Sequence, residues 1–332
     1  MPMHSFLSGD QIPGALQGAV VAIGNFDGVH RGHQSLLSVA RNEAAMARSP
    51  FGVLTFEPHP RLFFRPDQPM FRLTPHRLKQ RLLAAAGADF QLTLAFDRAL
   101  ANLEAQDFVR NILVDRLRVR RVVTGYDFHF GRGRKGNPDL MRRLGGEFGF
   151  AVSVIDQLTD NHGQAPFSSS AIRDDLRHGR VVEAARALGY WWMINGEIVR
   201  GDGRGRMLGY PTANIVLDPG VEPREGIYAV RLTLSGRRLA GVAYIGTRPT
   251  FTAGARFLEV FIFDFDGEIY GEAMDVHFLG FLRGDEKFPT PEALVAQMRL
   301  DTDRARSLLR AIEADDPMRN FPFGRLQTEG RL

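Results

Sequence analysis

The sequence contains no cysteine, and this absence excludes three kinds of chemistry. Without thiols the chain can form no disulfide, no thiolate metal site and no cysteine nucleophile. Long apolar runs are also missing: no stretch of about 18 apolar residues occurs, so we expect no membrane-spanning helix. Residues 1–18 lack an apolar core flanked by positive charge, so the sequence predicts no signal peptide and a cytoplasmic location.

Lysine is scarce, because only three of the 42 basic residues are lysines and the rest are arginines. The net charge is a modest +4. In the arginine-rich stretch 116–121, charged and apolar residues alternate as on a half-exposed strand, whereas a nucleic-acid-binding domain usually gathers its charge on one face. We therefore expect no nucleic-acid partner, and anionic small ligands such as phosphates explain the arginines equally well.

The length and the hydrophobic content favour two globular domains. The chain has 332 residues, of which 44% are hydrophobic, enough for two cores. In the first half, segments of helical spacing alternate with short apolar runs at 20–23, 52–57, 90–96, 119–124 and 151–155. This alternation predicts a doubly wound parallel α/β sheet. One of its helices should begin with Thr74 as N-cap and Pro75 as its first residue.

Three loops at predicted strand ends, 24–33, 125–136 and 167–173, carry chemistry that suits a phosphate. Glycines let backbone N–H groups approach an anion, and histidine can donate to a charged phosphoryl group. His30 and His33 form an H-x-x-H pair, which by itself is also compatible with a structural role or a metal site. No third ligand histidine accompanies the pair, which disfavours zinc, and no P-loop motif occurs.

Four motifs occur in a fixed order in this half: GNFDGVHRGH at 24–33, TFEPHP at 55–60, GYDFHFG at 125–131 and SSSAIR at 168–173. Together they resemble the FAD synthetase branch of the nucleotidylyltransferase superfamily. The resemblance implies a doubly wound α/β nucleotidylyltransferase domain that transfers an adenylyl group from ATP to FMN, giving FAD and pyrophosphate.

The resemblance also implies roles for individual residues. His30 and His33 would hold the ATP phosphates and stabilise charge on the α-phosphorus, Asp127 would lie near the nucleotide, and Arg173 would grip the triphosphate with the serines. The other implied nucleotide-binding residues are Gly24, Asn25, Phe26, Asp27, Ser168, Ser169 and Ser170. Whether Phe26, Phe128 and Phe130 pack in the core or contact flavin stays open at this point.

The second half changes pattern, because alternating apolar runs follow one another without helices between them. These runs cover 191–199, 226–234, 239–245, 257–263 and 268–278, with turn signals such as Ser235–Gly236, and they suggest a small barrel. A terminal helix should begin with Thr290 as N-cap and reach about Ala311. The residues after Asp315 read as a loose tail.

The stretch from Gly201 to Asn214 reads GDGRGRMLGYPTAN. By composition it is a flexible hairpin loop or a nucleotide loop, and Thr212 and Asn214 offer hard oxygen ligands that suit Mg²⁺. The stretch resembles the riboflavin kinase signature, which implies a six-stranded β-barrel kinase domain with a terminal helix that phosphorylates riboflavin with ATP. Glu259 would then be the general base.

The implied kinase-site residues, beyond Glu259, are Gly201, Gly205, Arg206, Gly209, Pro211, Thr212 and Asn214, with Thr212 and Asn214 as the metal ligands. Arg206 and Arg283 are candidate nucleotide or flavin contacts. One departure from the signature is Tyr244, which stands where relatives commonly carry asparagine.

We thus expect a bifunctional enzyme of FMN and FAD synthesis, with riboflavin, FMN and ATP as substrates and Mg²⁺ as cofactor. The expected domains are an adenylyltransferase at 1–186, a riboflavin kinase at 187–315 and a C-terminal tail at 316–332. Three rivals are a chain with one degenerate module, a flavin- or nucleotide-binding regulator with inactive sites, and a barrel that binds RNA. The sequence does not indicate an oligomeric state.

Overall fold

The computed structural model describes residues 3–159, 166–201, 205, 208–247 and 256–332. The chain divides into two compact units. The first unit comprises Met1–Met70 and Thr74–Ser168, and the second comprises Phe71–Leu73 and Ser169–Leu332. No helix in the described ranges is long and apolar enough to cross a lipid bilayer.

A six-stranded parallel sheet forms the centre of the first unit, in the order β1-β4-β3-β2-β5-β6. Its strands are β1 (His4–Leu7), β2 (Val20–Ile23), β3 (Phe51–Glu57), β4 (Phe90–Ala95), β5 (Arg121–Gly125) and β6 (Ala151–Ile155). The predicted parallel α/β fold is therefore confirmed. The edge strand β1 was missed, because four residues with one buried-type aromatic carry little strand signal.

The helices of the first unit flank this sheet in sequence. They are α1 (Arg31–Ala47), α2 (Pro60–Phe64), α3 (His76–Ala85), α4 (Arg98–Ala101), α5 (Ala105–Phe108) and α6 (Pro138–Phe148), and α5 continues as a π-helix over Val109–Arg116. Helix α1 forms because Leu36, Leu37, Ala40 and Ala44 recur at helical spacing and are buried on one face. The predicted N-cap role of Thr74 is wrong, since α3 begins at His76 and the Thr74 side chain binds the loop after β2 instead.

The second unit is a six-stranded antiparallel barrel, as the sequence predicted. Its strands are β7 (Met193–Glu197), β8 (Thr212–Val216), β9 (Gly226–Leu234), β10 (Arg237–Thr247), β11 (Arg256–Ile262) and β12 (Ala273–Arg283), in the order β7-β12-β9-β10-β11-β8. A bridge between Val199 and Asn214 links the two edges of the sheet. The predicted turn at Ser235–Gly236 is present, and both residues have the positive φ that a tight hairpin requires.

The helices of the second unit are α7 (Ser169–Arg177), α8 (Val181–Leu188), α9 (Pro291–Ala314) and α10 (Pro322–Thr328). Helix α9 has the predicted N-cap, because the Thr290 hydroxyl accepts a hydrogen bond from the N–H of Ala293 at 3.2 Å. Between α7 and α8, Gly179 adopts φ 75° and breaks what the sequence suggested was one interrupted helix.

The expectation of a loose tail after Asp315 is wrong, because this segment folds against β7. The carboxylate of Asp316 accepts hydrogen bonds from Trp191 Nε1 at 3.0 Å and from Arg231 at 3.2 Å. Gln327 bonds both the N–H and the C=O of Trp191 at 2.8 Å. These anchoring residues are polar, so an analysis of apolar spacing could not detect them.

We expect Asp316→Ala to lower the free energy of unfolding of the second unit by about 3 kcal/mol, because it removes the partner of the partly buried Arg231 cation and of the buried Trp191 Nε1–H. Both tryptophans of the chain, Trp191 and Trp192, lie in this unit, so fluorescence during urea unfolding reports on it selectively. Asp315→Ala, which truncates an exposed neighbour, is the control and should change little. Equal stability of the two variants would contradict the anchoring role.

Candidate functional sites

The loop after β2 lies at the carboxyl edge of the parallel sheet, the edge where open α/β sheets bind ligands. Strands β3 and β5 both pair with β2, so the loops that follow all three strands leave from this edge. The loop after β2 carries His30 and His33, and the loop after β5 carries Asp127, which is exposed. The first unit therefore groups three of the four predicted motifs at one edge.

His30 and His33 form a stacked pair with ring centroids 3.7 Å apart and planes inclined by 22°. His30 caps α1, because its Nδ1 accepts a hydrogen bond from the N–H of His33 at 3.4 Å. An accepting Nδ1 carries no proton, so the neutral His30 ring carries its proton on Nε2. The cap therefore fixes both the orientation and the tautomer of this histidine.

The backbone of the same loop is held in an unusual conformation. Phe26 and Val29 have φ values of 48° and 37°, which large side chains rarely adopt. Thr74 stabilises this conformation: its hydroxyl accepts from the N–H of Gly28 at 2.9 Å, and its own N–H donates to Asp27 Oδ1 at 3.0 Å. Strain of this kind persists where the surroundings over-determine it, often at functional sites.

Phe26 is fully buried and lies edge-on to His33, with ring centroids 5.2 Å apart. Its ring also lies beside Gly24, where an added Cβ would come within 3.2 Å of it. Phe130 is buried too and packs on Phe108. The sequence left open whether these phenylalanines pack in the core or contact flavin. Phe26 and Phe130 pack in the core, and Phe26 also packs against the candidate catalytic residue His33.

Two buried polar atoms of this loop have no hydrogen-bond partner among the described residues: Asn25 Oδ1 and His33 Nδ1. An unsatisfied buried polar atom is costly unless a ligand completes it. Burial is the main cause that lowers the pKa of His33 well below its ordinary value of 6.5, and the electrostatic influence of His30 and of Lys79 adds to it. His33 is thus a neutral imidazole with an open ring nitrogen at neutral pH.

Lys79 is a candidate that the sequence analysis missed. It lies on α3 among apolar residues, is only 2% exposed, and places a positive charge close enough to affect His33. Lysine is rarely this buried without a functional or paired role. In the sequence, Lys79 stands among the apolar residues Leu78, Leu82 and Leu83, at a position where leucine would fit the helical spacing. This placement was the feature that could have identified it.

Three aromatic residues near the third strand were also missed. Phe63 and Phe64 on α2 each lie within 6 Å of the Phe96 ring, at 5.4 Å and 5.7 Å between centroids. Phe64 is 64% exposed, which is unusual for so large an apolar side chain. We call Phe63, Phe64 and Phe96 the α2 aromatic cluster. Helix α2 follows β3, the strand that ends in the predicted TFEPHP motif.

The remaining predicted adenylyl-transfer residues are divided between the units. Ser168 is the last residue of the first unit, whereas Ser169, Ser170 and Arg173 belong to α7 in the second unit. Ser170 is exposed, and Arg173 is buried with its Nε donating to the carbonyl of Phe71 at 2.6 Å. This bond fixes the direction of the guanidinium.

The barrel brings the predicted kinase residues together through strand register. Asn214 on β8 pairs directly with Glu259 on β11, and Glu259 pairs directly with Tyr244 on β10. Directly opposed residues of antiparallel strands point to the same face with Cβ atoms about 5 Å apart. These three side chains, which we call the Asn–Glu–Tyr row, therefore lie side by side on one face.

Asn214 is 4% exposed, and its Oδ1 has no hydrogen-bond partner among the described residues. Its Nδ2 donates to the carbonyl of Thr212 at 3.2 Å, which aims Oδ1 away from that carbonyl. Gly201 makes room for the amide, because an added Cβ would lie 2.9 Å from Oδ1. The amide oxygen is thus held in place and available to a ligand such as a cation.

Other residues of the signature surround this amide. The N–H of Tyr210 donates to the carbonyl of Gly205 at 2.8 Å, Gly209 turns the chain at φ 81°, and Pro211 is exposed. Arg206, a predicted contact, lies outside the described residues. Across the described ranges, no three histidine, aspartate or glutamate side chains form a cluster that could hold a metal ion.

Arg283 is held by an acidic partner that the sequence analysis did not identify. Its Nε and Nη2 bond both carboxylate oxygens of the buried Asp301 at 2.8–3.1 Å, and Gln297 bonds the same carboxylate at 2.9 Å. Beside it lies a cavity of about 550 Å³, lined by Leu208, Glu286, Phe288, Pro289, Thr290, Pro291 and Leu294. The volume and the apolar lining suit a small aromatic ligand.

A parallel sheet with a histidine-bearing loop at its carboxyl edge, followed by a barrel that pairs an amide with a carboxylate, is the two-domain architecture that the sequence resemblance implied. Family comparison agrees: the chain matches the model described as FAD synthetase over residues 12–171 and the model described as riboflavin kinase over residues 188–309.

Curated relatives include the bifunctional riboflavin kinase/FMN adenylyltransferase of Escherichia coli K12, which is 40% identical over 87% of this chain and 92% of the relative. The Haemophilus influenzae enzyme of the same name is 37% identical over 89% of this chain and 96% of its own length. A crystal structure from Streptococcus pneumoniae, described as a macrolide-efflux protein, has a TM-score of 0.81 at 30% identity and covers 92% of this chain and 99% of that one. The chain belongs to the bifunctional riboflavin kinase/FMN adenylyltransferase family.

The lowered pKa of His33 predicts a pH dependence of stability. The unfolded chain binds the His33 proton more tightly than the folded chain, so folding is fully favoured above pH 6.5 and is weakened as the pH falls below it. We expect the protein to lose up to about 1.4 kcal/mol per pH unit from this residue in that window. His33→Gln should flatten the loss in calorimetric unfolding between pH 7.5 and pH 5, whereas substitution of the exposed His4 should not.

Proposed function

We propose that the histidine loop catalyses adenylyl transfer and that Glu259 and Asn214 of the Asn–Glu–Tyr row carry out riboflavin phosphorylation. The same kind of observation supports the proposal at the histidine loop and at the barrel site. Each has a buried polar atom without a hydrogen-bond partner among the described residues, His33 Nδ1 or Asn214 Oδ1, beside a group suited to the reaction. The chain thereby makes FMN at one site and consumes it at the other.

In the adenylyl transfer, an FMN phosphate oxygen attacks the α-phosphorus of ATP and pyrophosphate leaves. The nucleophile is already an anion, so the site needs charge stabilisation and positioning rather than a base. The Nε2–H of His30 donates to the phosphates, and the buried Lys79 supplies a fixed positive charge near His33. His33 accepts or donates through its open Nδ1 once the triphosphate is present.

Asp27 contributes to this site by holding Thr74 and thus the loop backbone, while Gly24 and Asn25 allow the nucleotide to approach. Asp127, Ser168, Ser169, Ser170 and Arg173 are proposed nucleotide contacts on the family resemblance. In the α2 aromatic cluster the rings meet edge to face, and the exposed ring of Phe64 offers an apolar face on which the flavin ring of FMN can stack.

In the kinase reaction, Glu259 takes the proton of the ribityl 5′-hydroxyl as the oxygen attacks the γ-phosphorus of ATP, the bond from that phosphorus to the bridging oxygen breaks, and ADP leaves. Glu259 lies directly opposite Asn214, so the base and the amide oxygen face the same reacting groups. The flavin ring fits the cavity lined by Leu208, Phe288 and Leu294. Gly201, Gly205, Gly209 and Pro211 shape the loop that receives the nucleotide, and Arg206 is a further proposed contact.

Mg²⁺ fits the residues present, because Thr212 and Asn214 offer neutral oxygen ligands and Asn214 Oδ1 is buried and unsatisfied. When bound, the ion supplies charge neutralisation for the transferred phosphoryl group. Thr212 and Asn214 would hold it, and Gly201 leaves the space that the amide needs.

The functional boundary at residue 186 is part of the proposal. Helices α7 and α8 belong to the second compact unit, but Arg173 on α7 is assigned to adenylyl transfer. A kinase domain from residue 187 would include the folded segment 316–332, because Asp316 and Gln327 bind Trp191. A cytoplasmic location, with no nucleic-acid partner, also stays a prediction.

We expect Glu259→Gln to slow riboflavin phosphorylation about 10²- to 10⁴-fold, because glutamine is isosteric but cannot take the proton. Adenylylation of added FMN should be unchanged. Chromatography of the flavins formed from riboflavin or from FMN measures the two reactions separately. Glu268→Gln changes an exposed glutamate of the same unit and serves as the control. Unchanged phosphorylation in Glu259→Gln would remove Glu259 from the proposed site.

We expect His30→Asn to slow FMN adenylylation about 10²- to 10³-fold, because it removes one donor to the developing charge. Asparagine is itself a favoured N-cap, so α1 keeps its first turn and the protein stays folded. Riboflavin phosphorylation should be retained, and His4→Asn provides the matched control. Loss of both reactions in a folded His30→Asn protein would contradict two independent sites and favour the alternative of one coupled site.

A further inference from the structure

We infer that Tyr244 is a positioning residue for riboflavin binding: its hydroxyl holds Asp285 and thereby the wall of the kinase cavity. The inference rests on the proposed function of the barrel site. Tyr244 lies directly opposite Glu259 on the neighbouring strand. Its hydroxyl donates to Asp285 Oδ2 at 3.3 Å.

The segment 284–289 lies between two fixed points. Before it, Arg283 is bound by Asp301, and after it, Thr290 caps α9. The segment itself has no regular secondary structure and is mostly exposed, and it contributes Glu286, Phe288 and Pro289 to the cavity. The bond from Tyr244 to Asp285 ties this segment to the barrel strand β10 immediately before the lining residues begin.

The Tyr244 side chain is well fixed for this task. Gly246, two residues further on the same strand, leaves the space that the ring occupies, because an added Cβ would collide with the phenol. Burial, and then the negative charge and hydrogen bond of Asp285, raises the pKa of Tyr244 to about 12. The phenol therefore stays protonated and remains a donor to the carboxylate throughout the working pH range.

A bond that orders a cavity wall affects binding more than chemistry. Without it, the segment 284–289 keeps its contacts with Arg283 but loses its tie to β10. Part of its ordering must then accompany riboflavin binding, and that entropy is lost from the binding free energy. Glu259 and Asn214 keep their places on the barrel strands, because strand register and not the segment fixes them. The expected signature is a higher KM for riboflavin at nearly constant kcat.

The test compares Tyr244→Phe, Asp285→Ala and the double variant in steady-state riboflavin phosphorylation. Each single variant should raise the riboflavin KM about fivefold, as expected for one hydrogen bond to a charged group. The double variant should be no worse than either single variant, since both remove the same bond. FMN adenylylation should be unchanged, and Tyr270→Phe, which alters a tyrosine outside the site, should leave both reactions as they are.

Tyr244→Asn separates this role from a direct contact with the ligand. Asparagine is too short to reach Asp285, so this variant should resemble Tyr244→Phe. If Tyr244→Asn kept full activity while Tyr244→Phe was defective, the side chain at this position would contact the substrate directly. That result would overturn the inference. An unchanged KM in Tyr244→Phe, or additive effects in the double variant, would overturn it as well. Failure of the proposed kinase site itself would appear separately, as retained phosphorylation in Glu259→Gln.

Discussion

The pairing of β8 with β11 and of β11 with β10 is the constraint on which the kinase site depends. It places Asn214, Glu259 and Tyr244 in one row, and the row exists only in this register. The register is set on the other face, where Leu258 and Val260 are fully buried in the barrel core. A slip of one residue would exchange the two faces, so the packing of apolar side chains inside determines the position of the chemistry outside.

In the first unit the corresponding constraint is a loop conformation rather than a register. The parallel sheet delivers the loop to the correct edge, but two non-glycine residues there have positive φ. Thr74 lies 46 residues after Gly28 in the chain. It holds the loop by accepting a hydrogen bond from the N–H of Gly28 and by donating its own N–H to Asp27. The stacked histidines are therefore oriented by a long-range contact, and this contact is as much a part of the site as the rings.

Alternation of apolar residues predicted the strand Gly226–Leu234 to the residue, because Tyr228, Val230, Leu232 and Leu234 are buried on one face while the other face carries Arg231 and Thr233. The same method missed β8, whose Thr212 and Asn214 occupy the outer face of a strand inside a glycine-rich motif. It also misassigned Thr74 and the residues after Asp315. For Thr74 and for the segment after Asp315, the structure is determined by polar contacts with residues far away in the sequence. A local pattern of apolar residues cannot reveal such contacts.

The two sites differ because their nucleophiles differ. Riboflavin offers a neutral hydroxyl, which must lose a proton, and the proposed kinase site accordingly has a carboxylate as base and oxygen atoms as ligands for a cation. FMN offers a phosphate that is already ionised, so the histidine loop needs no base and gathers buried positive or donating groups instead. The lowered pKa of His33 follows mainly from its burial, which disfavours a charged ring, and the nearby Lys79 adds to this effect. In the proposed mechanism the negative charge of the triphosphate offsets both costs, so positive groups that are unfavourable in the free enzyme become favourable when substrate is bound.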